Sequence, residues 1–226
     1  MENNQNRQNP STRSDGTAGR TAPMNRRRQQ KQNVLYLVQL ALLTAVIMVL
    51  HFSGVAIPAF GTKISLVLIP IALGAMLLGP AAGAFLGFVY GLTVYISLGV
   101  LHMDPFTGFL FDHNPIMTFL ICTVKTTAAG LLGGLAYRAL QKKNSLLAVF
   151  VCAALVPTVN TGLFVLGCFL IYNTISQIAA SSGYSAVYFI LIVCAGVNYL
   201  LELAVNMIFS PALERIVRSV SKKSRR

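Results

Sequence analysis

Residues 69–92, from Ile69 to Leu92, read IPIALGAMLLGPAAGAFLGFVYGL. The stretch carries no charged side chain, and Gly79-Pro80 marks a tight turn within it. Pro80 suits the first position of the helix that follows, where its missing N–H is not needed. Beyond the turn Gly79, Gly83, Gly87 and Gly91 recur every four residues, which strips one helix face of side chains. Helices pack very closely on such a face in lipid, where van der Waals contact takes the place of a hydrophobic driving force. An apolar hairpin of helices, one of them shaped for close packing, points to an all-α bundle inside a bilayer.

The rest of the chain extends this pattern. Of 226 residues 55% are hydrophobic and 11% charged, against about 25% charged in an average soluble domain. The hydrophobicity comes in long blocks, so lipid is the expected solvent. Reading outward gives a polytopic bundle of six transmembrane helices. The first runs from about Val34 to Phe52, long enough for a ~30 Å hydrocarbon core. The second, about Ile64 to Leu78, is short and interrupted by Pro70. The third continues from Pro80 to about Leu101. The fourth runs from Pro115 to near Gln141, with Gly130 and Gly134 as a further small-residue pair. The fifth covers about Ser145 to Tyr172 and contains Pro157, and the sixth runs from about Ser185 into the C-terminal tail. Between the third and fourth lies Leu101 to Asn114 (LHMDPFTGFLFDHN), expected to pack on the bundle as a short helix or lid. Asn173 to Tyr184 is expected to be an uncharged polar loop.

The net charge is +12. In a soluble protein this would suggest a nucleic-acid partner, but the placement argues against one. Of 18 Lys and Arg, seven precede Val34, three lie between Arg138 and Lys143, and six follow from Arg215 onward; the other two are Lys63 and Lys125. Basic residues thus flank the apolar blocks, as cytoplasmic ends and loops do. Six spans and this charge pattern both place the two termini in the cytoplasm. The expected domains are a disordered basic cytoplasmic tail over 1–32, a transmembrane substrate-binding domain over 33–217, and a basic tail over 218–226. The first tail has no cleavable signal sequence, and Arg26-Arg27-Arg28 reads as a topogenic cluster or a touch point for anionic headgroups. Cys122, Cys152, Cys168 and Cys194 all fall in apolar blocks without CxxC spacing, so they read as small apolar side chains.

The polar residues inside the blocks are the candidates for chemistry. Lys125 lies about mid-membrane in the fourth span, where an unpaired Lys costs about 2.5–3.5 kcal/mol. Glu202 lies equally deep in the sixth, and Asn198, Glu202 and Asn206 share one face by their spacing of four. Thr158, Asn160 and Thr161 follow Pro157 in the fifth. Together they suggest a polar interior in which Lys125 meets a ligand carboxylate or phosphate and the amides meet hydroxyl and amide groups. The competing reading is a Lys125–Glu202 ion pair, with the Asn residues tying helices together. Thr62, Lys63 and Asn114 are candidates to cover or contact a ligand from the outside. Lys63 serves equally well as a headgroup anchor. His102, Asp104, Asp112 and His113 are metal-ligand types, but their spacing favours no geometry. Asp104-Pro105 and Asn114-Pro115 read better as turn starts and a helix cap, so no metal or other cofactor is expected. Ala41 and Ala45 form an AxxxA pair in the first span. There is no GxxxxGK[ST] phosphate loop, so an ATP-driven step would need another subunit.

With these residues in view, the chain resembles the substrate-binding S component of energy-coupling factor (ECF) vitamin transporters, over roughly Val34 to Ile216. The resemblance rests on LALLTA in the first span, the segment quoted at the outset, MDPF…NP before the fourth span, and NYLLELAVNMIFSPAL in the sixth. It implies six helices and an outward-facing vitamin pocket in the plasma membrane of a prokaryote. It further implies that Ala41 and Ala45 dock on a transmembrane coupling protein, which two ATPases serve. The likeness is to the pantothenate, folate, cobalamin and riboflavin group. Pantothenate is the leading candidate, an anion with hydroxyls and an amide that suits one Lys and several Asn. The chain has no Trp, so a Trp-stacked flavin or pterin is excluded, while stacking on Phe or Tyr stays open.

Two further classes stand beside this reading. A self-sufficient secondary transporter of a small anion, driven by a proton or Na⁺ gradient, would use Glu202 as proton carrier and the breaks at Pro70 and Pro157 as discontinuous helices. A membrane enzyme needs clustered acids, His or metal ligands, and only the His102–His113 loop offers them, so a non-catalytic subunit is expected.

Overall fold

The computed structural model describes residues 21–53, 56–59 and 62–224, with side chains placed over 29–53 and 66–220. The chain divides into two compact units, Met1–Val38 and Gln39–Arg226. The described part of the first is helical from Thr21 onward, ahead of the apolar block that opens at Val34.

The order of the second unit is the remainder of α1 (Thr21–Phe52), a hairpin of β1 (Ala56–Ala59) and β2 (Thr62–Ser65), α2 (Leu68–Leu77), α3 (Pro80–Val94), α4 (Pro105–His113), α5 (Pro115–Leu140), α6 (Ser145–Leu170), α7 (Tyr172–Ser181), the single turn α8 (Ala186–Tyr188), and α9 (Val197–Ser224). Two wide π-helical stretches, Tyr95–Val100 after α3 and Phe189–Gly196 before α9, continue their helices. Local sequence sets the boundaries. Gly79 takes φ 97°, a region costly for any residue with a Cβ, and releases the chain into Pro80. Asp104 caps α4 by accepting from the Thr107 N–H at 2.9 Å. Asn144 caps α6, its Oδ1 accepting from the Leu146 and Leu147 amides.

The glycine pattern of α3 is answered by α5. A Cβ on Gly83 would stand 2.5 Å from the Gly130 carbonyl oxygen, one on Gly87 would strike the Thr126 carbonyl, and one on Gly91 would stand 2.5 Å from the Cys122 carbonyl. Each four-residue step along α3 meets a four-residue step back along α5, so the two helices run antiparallel with backbones in contact. Gly134 closes the series against Pro80. The close internal packing expected from the sequence is the packing found.

One apolar cluster, with Ile47, Leu68, Ile71, Leu86, Val149, Val156 and Leu213, fills the half of the bundle near the α5–α6 turn. A second, with Leu110, Ile121, Cys168, Ile175 and Ile190, lies under α4 and α7. All four cysteines are free thiols.

Among the described residues five helices are long and apolar enough to cross a membrane: Gln29–Phe52, Pro80–Val100, Pro115–Leu140, Ser145–Leu170 and Ala186–Val220. The expected second span is shorter than the sequence suggested. Ile64 pairs with Ile57 in the β-hairpin, so the helix starts only at Leu68, and ten residues reach about 15 Å. Pro70 therefore falls in the first turn, where no helical N–H is required, and does not interrupt a helix. Residues expected as a polar loop after Asn173 form α7 instead, because Ile175 and Ala179 bury one face among Ser, Thr and Gln. The stretch before the fourth span is a short helix, as expected.

Candidate functional site

α4 roofs a cavity of about 190 Å³ at the end of the bundle opposite the α5–α6 turn. Tyr90, Val94 and Leu98 line it from α3 and its π-helical extension. Thr118, Ile121, Cys122 and Lys125 come from α5, Asn160 and Phe164 from α6, Asn198 and Glu202 from α9, and Phe106, Thr107 and Leu110 from the roof. Four separate polar candidates, Lys125, Asn160, Asn198 and Glu202, thus converge on one space.

Their surroundings define what that space can hold. The Lys125 ammonium stands 4.6 Å from the centre of the Phe164 ring, within cation–π range. Among the described residues Lys125 forms no ion pair; the pairs present are His102–Asp112 and Glu214–Arg218. Glu202 is buried at 3% exposure and accepts from the Asn198 amide at 3.3 Å, while its backbone carbonyl accepts from Asn206 at 2.8 Å. Among the described residues, the Oδ1 atoms of Asn160 and Asn198 are buried without a hydrogen-bond partner. A buried acceptor left unmet costs about 1–3 kcal/mol, and neither oxygen exposes surface to the cavity as it stands. The cavity is therefore lined by one cation, one carboxylate, two Asn amides and an aromatic wall of Phe106, Phe164 and Tyr90.

Asn198, Glu202, Asn206, Ser210, Glu214 and Arg218 repeat at intervals of four along α9. The members at 202, 206 and 210 are fully buried. The polar line runs from the cavity to the basic end of the bundle, where Arg138 lies in the last turn of α5 and Lys142 and Lys143 follow it.

The other sequence candidates lie elsewhere. Asn114 is absent from the lining; its Nδ2 donates to Thr174 Oγ1 at 2.8 Å and ties the start of α5 to α7. Thr62 and Lys63 sit in β2, opposite Ala59 and Pro58, and β2 packs against α9; their side chains lie outside the described residues. Thr158 and Thr161 turn to an open apolar groove on the outside of α6, where Thr158 Oγ1 lies 3.1 Å from Tyr199 OH. The acidic and His residues of the 101–114 stretch do not converge: Asp104 caps α4, His113 lies 2.9 Å from the Phe109 carbonyl, and His102 faces Asp112. Ala41 and Ala45 are both exposed on α1, whose buried residues in this unit are Leu43 and Ile47.

Tyr90, Thr107, Thr118 and Phe164 line the cavity without having been singled out from sequence. Each lies on a helix stretch whose neighbours are equally apolar or small, and only the packing reveals which way it faces.

A family model described as ECF transporter, substrate-specific component, matches residues 35–213. No curated protein matches the chain.

Proposed function

The chain belongs to the family of ECF transporter substrate-specific components, and on that premise we propose that the cavity under α4 captures a small water-soluble vitamin for import. The family makes it a membrane protein whose work is substrate binding in transport. The convergence of Lys125, Asn160, Asn198 and Glu202 on one roofed space carries the reading. Lys125 meets a carboxylate, the Asn160 and Asn198 amides pair with polar groups of the ligand, and Phe106 and Phe164 flank the apolar part. Pantothenate, a hydroxylated amide with one carboxylate, fits this set and is the first substrate to test. The volume supports a small ligand, since about 190 Å³ falls below the roughly 300 Å³ at which drug-sized pockets begin.

Members of this family work with a transmembrane coupling component and ATPases. Ala41 and Ala45 are the proposed contact on the coupling component, because small exposed residues let a partner helix approach closely. Taking the buried α2, with Leu68, Ile71 and Ala75 in the core, as a short crossing supports a reading of six spans with both termini on one side. The basic end of the bundle is then cytoplasmic by the positive-inside rule, in a prokaryotic plasma membrane.

A gradient-driven transporter is the second reading, favoured by the buried Glu202 within the polar line of α9. Uptake by the protein alone, without ATPase partners, separates the two. Ligand binding by the isolated, folded protein, weakened at least tenfold by Lys125→Met, tests the capture site itself.

A further inference from the structure

α4 has two working faces. Phe106, Thr107 and Leu110 face the cavity. Gly108 and Asp112, one helical turn apart, face His102, which stands on the connection from the third span.

His102 holds an unusual position. Its φ of 52° is left-handed, rare for a residue other than Gly. This turn brings the ring back over α4. There Nε2 lies 3.0 Å from Asp112 Oδ1 and Nδ1 lies 3.1 Å from the Val100 carbonyl. The ring stands edge-on to Phe111 at 6.0 Å. A Cβ on Gly108 would be 2.7 Å from His102 Cδ2, so the glycine lets the ring lie on the helix.

Both ring partners are acceptors only, a carboxylate and a carbonyl. A neutral imidazole has one N–H and can serve one of them, leaving a lone pair facing a lone pair at the other. The imidazolium serves both. We propose that His102 is a protonation-dependent latch that holds α4 closed over the cavity, released when the ring loses its second proton. This regulation rests on the capture reading for its consequence, while the latch itself can be tested without any ligand.

The charged group facing the ring is Asp112. Asp104 is engaged by the Thr107 N–H and hydroxyl at the far end of α4, and His113 turns to the Phe109 carbonyl. The Asp112 hydrogen bond, then that of the Val100 carbonyl, raises the His102 pKa above its ordinary 6.5. A raised folded-state value means the latch is fully made below the ordinary pKa and is lost as pH rises through the raised one. Both side chains are about half exposed, so the change in lid opening is modest, about two- to fivefold.

Hydrogen–deuterium exchange of residues 105–113, in the full chain reconstituted in lipid nanodiscs, reads the latch directly. After correction for intrinsic exchange, α4 is expected to be about two- to fivefold better protected at pH 5.5 than at pH 8.5. His102→Gln and Asp112→Asn should each remove that difference and leave α6 protection unchanged. An unaltered pH response in either variant, or none in the wild-type protein, overturns the latch. Repeating the measurement with pantothenate separates the two ideas. A latch without ligand protection preserves the gate and removes the proposed substrate, while ligand protection without a pH response removes the gate alone.

Discussion

The Lys125 ammonium and the Phe164 ring, on α5 and α6, stand 4.6 Å apart inside the roofed cavity. A ring face attracts a cation without neutralising it. Lys125 is thus held in place while its charge stays available to an incoming anion. Replacing it with Met keeps the stem and the packing on Phe164 but removes the charge. Lys125→Met should weaken binding of an anionic vitamin at least tenfold, as expected for loss of a charged hydrogen bond worth about 1.5–3 kcal/mol. Titration calorimetry and thermal unfolding should be run on the same preparation. Unchanged affinity with a lowered unfolding temperature would assign Lys125 a structural role.

The α3–α5 seam tolerates no side chain at Gly87, where a Cβ would strike the Thr126 carbonyl. Gly87→Ala should force the helices apart and destabilise the protein by about 1–3 kcal/mol. Gly162→Ala, at a helical position with nothing within 4 Å of the new Cβ, should be neutral or stabilising by up to about 1 kcal/mol. Thermal unfolding of the two variants in one detergent compares them. Equal behaviour would contradict the packing described.

The exposed pair Ala41 and Ala45 leads to a different expectation. Ala41→Leu with Ala45→Leu should abolish uptake in cells containing the partner subunits and leave ligand affinity of the isolated protein unchanged. Parallel loss of affinity would place these residues in the bundle's own stability rather than in docking.

Asn114 donates to Thr174 across the top of the bundle. Asn114→Ala should therefore cost about 1 kcal/mol of stability. Its effect on ligand affinity should be far smaller than that of Asn160→Ala, a residue that lines the cavity. A larger loss for Asn114→Ala would restore it to the ligand's contacts.

Much of this was legible in sequence, for physical reasons that vary from element to element. The glycine ladder was legible because small residues at every fourth position strip one helix face for close packing, either within the bundle or against a partner. The α5 pairing confirms it in register. Lys125, Asn160, Asn198 and Glu202 stood out because polar groups in apolar blocks are rare, and they do share a cavity. Thr158 and Thr161 were grouped with them wrongly in space. Threonines back-bond their own helix, as Thr158 does to Ala154, and so sit on an outer face at little cost. The start of α2 was misread because Ile64 and Ile57 suit a strand as well as a helix, and only their pairing decides. α7 was hidden by its small polar residues, although Ile175 and Ala179 lie one turn apart. The position of His102 over α4 was not legible, since it comes from a backbone turn that no local pattern marks.

The capture site is tested most directly by calorimetric titration of the purified, detergent-solubilised chain, without partners, against a panel of B vitamins. Tight one-to-one binding of pantothenate or another small anionic vitamin, lost in Lys125→Met, is the expected result. No binding across the panel by a demonstrably folded protein would contradict vitamin capture and shift the weight to gradient-driven transport of another anion.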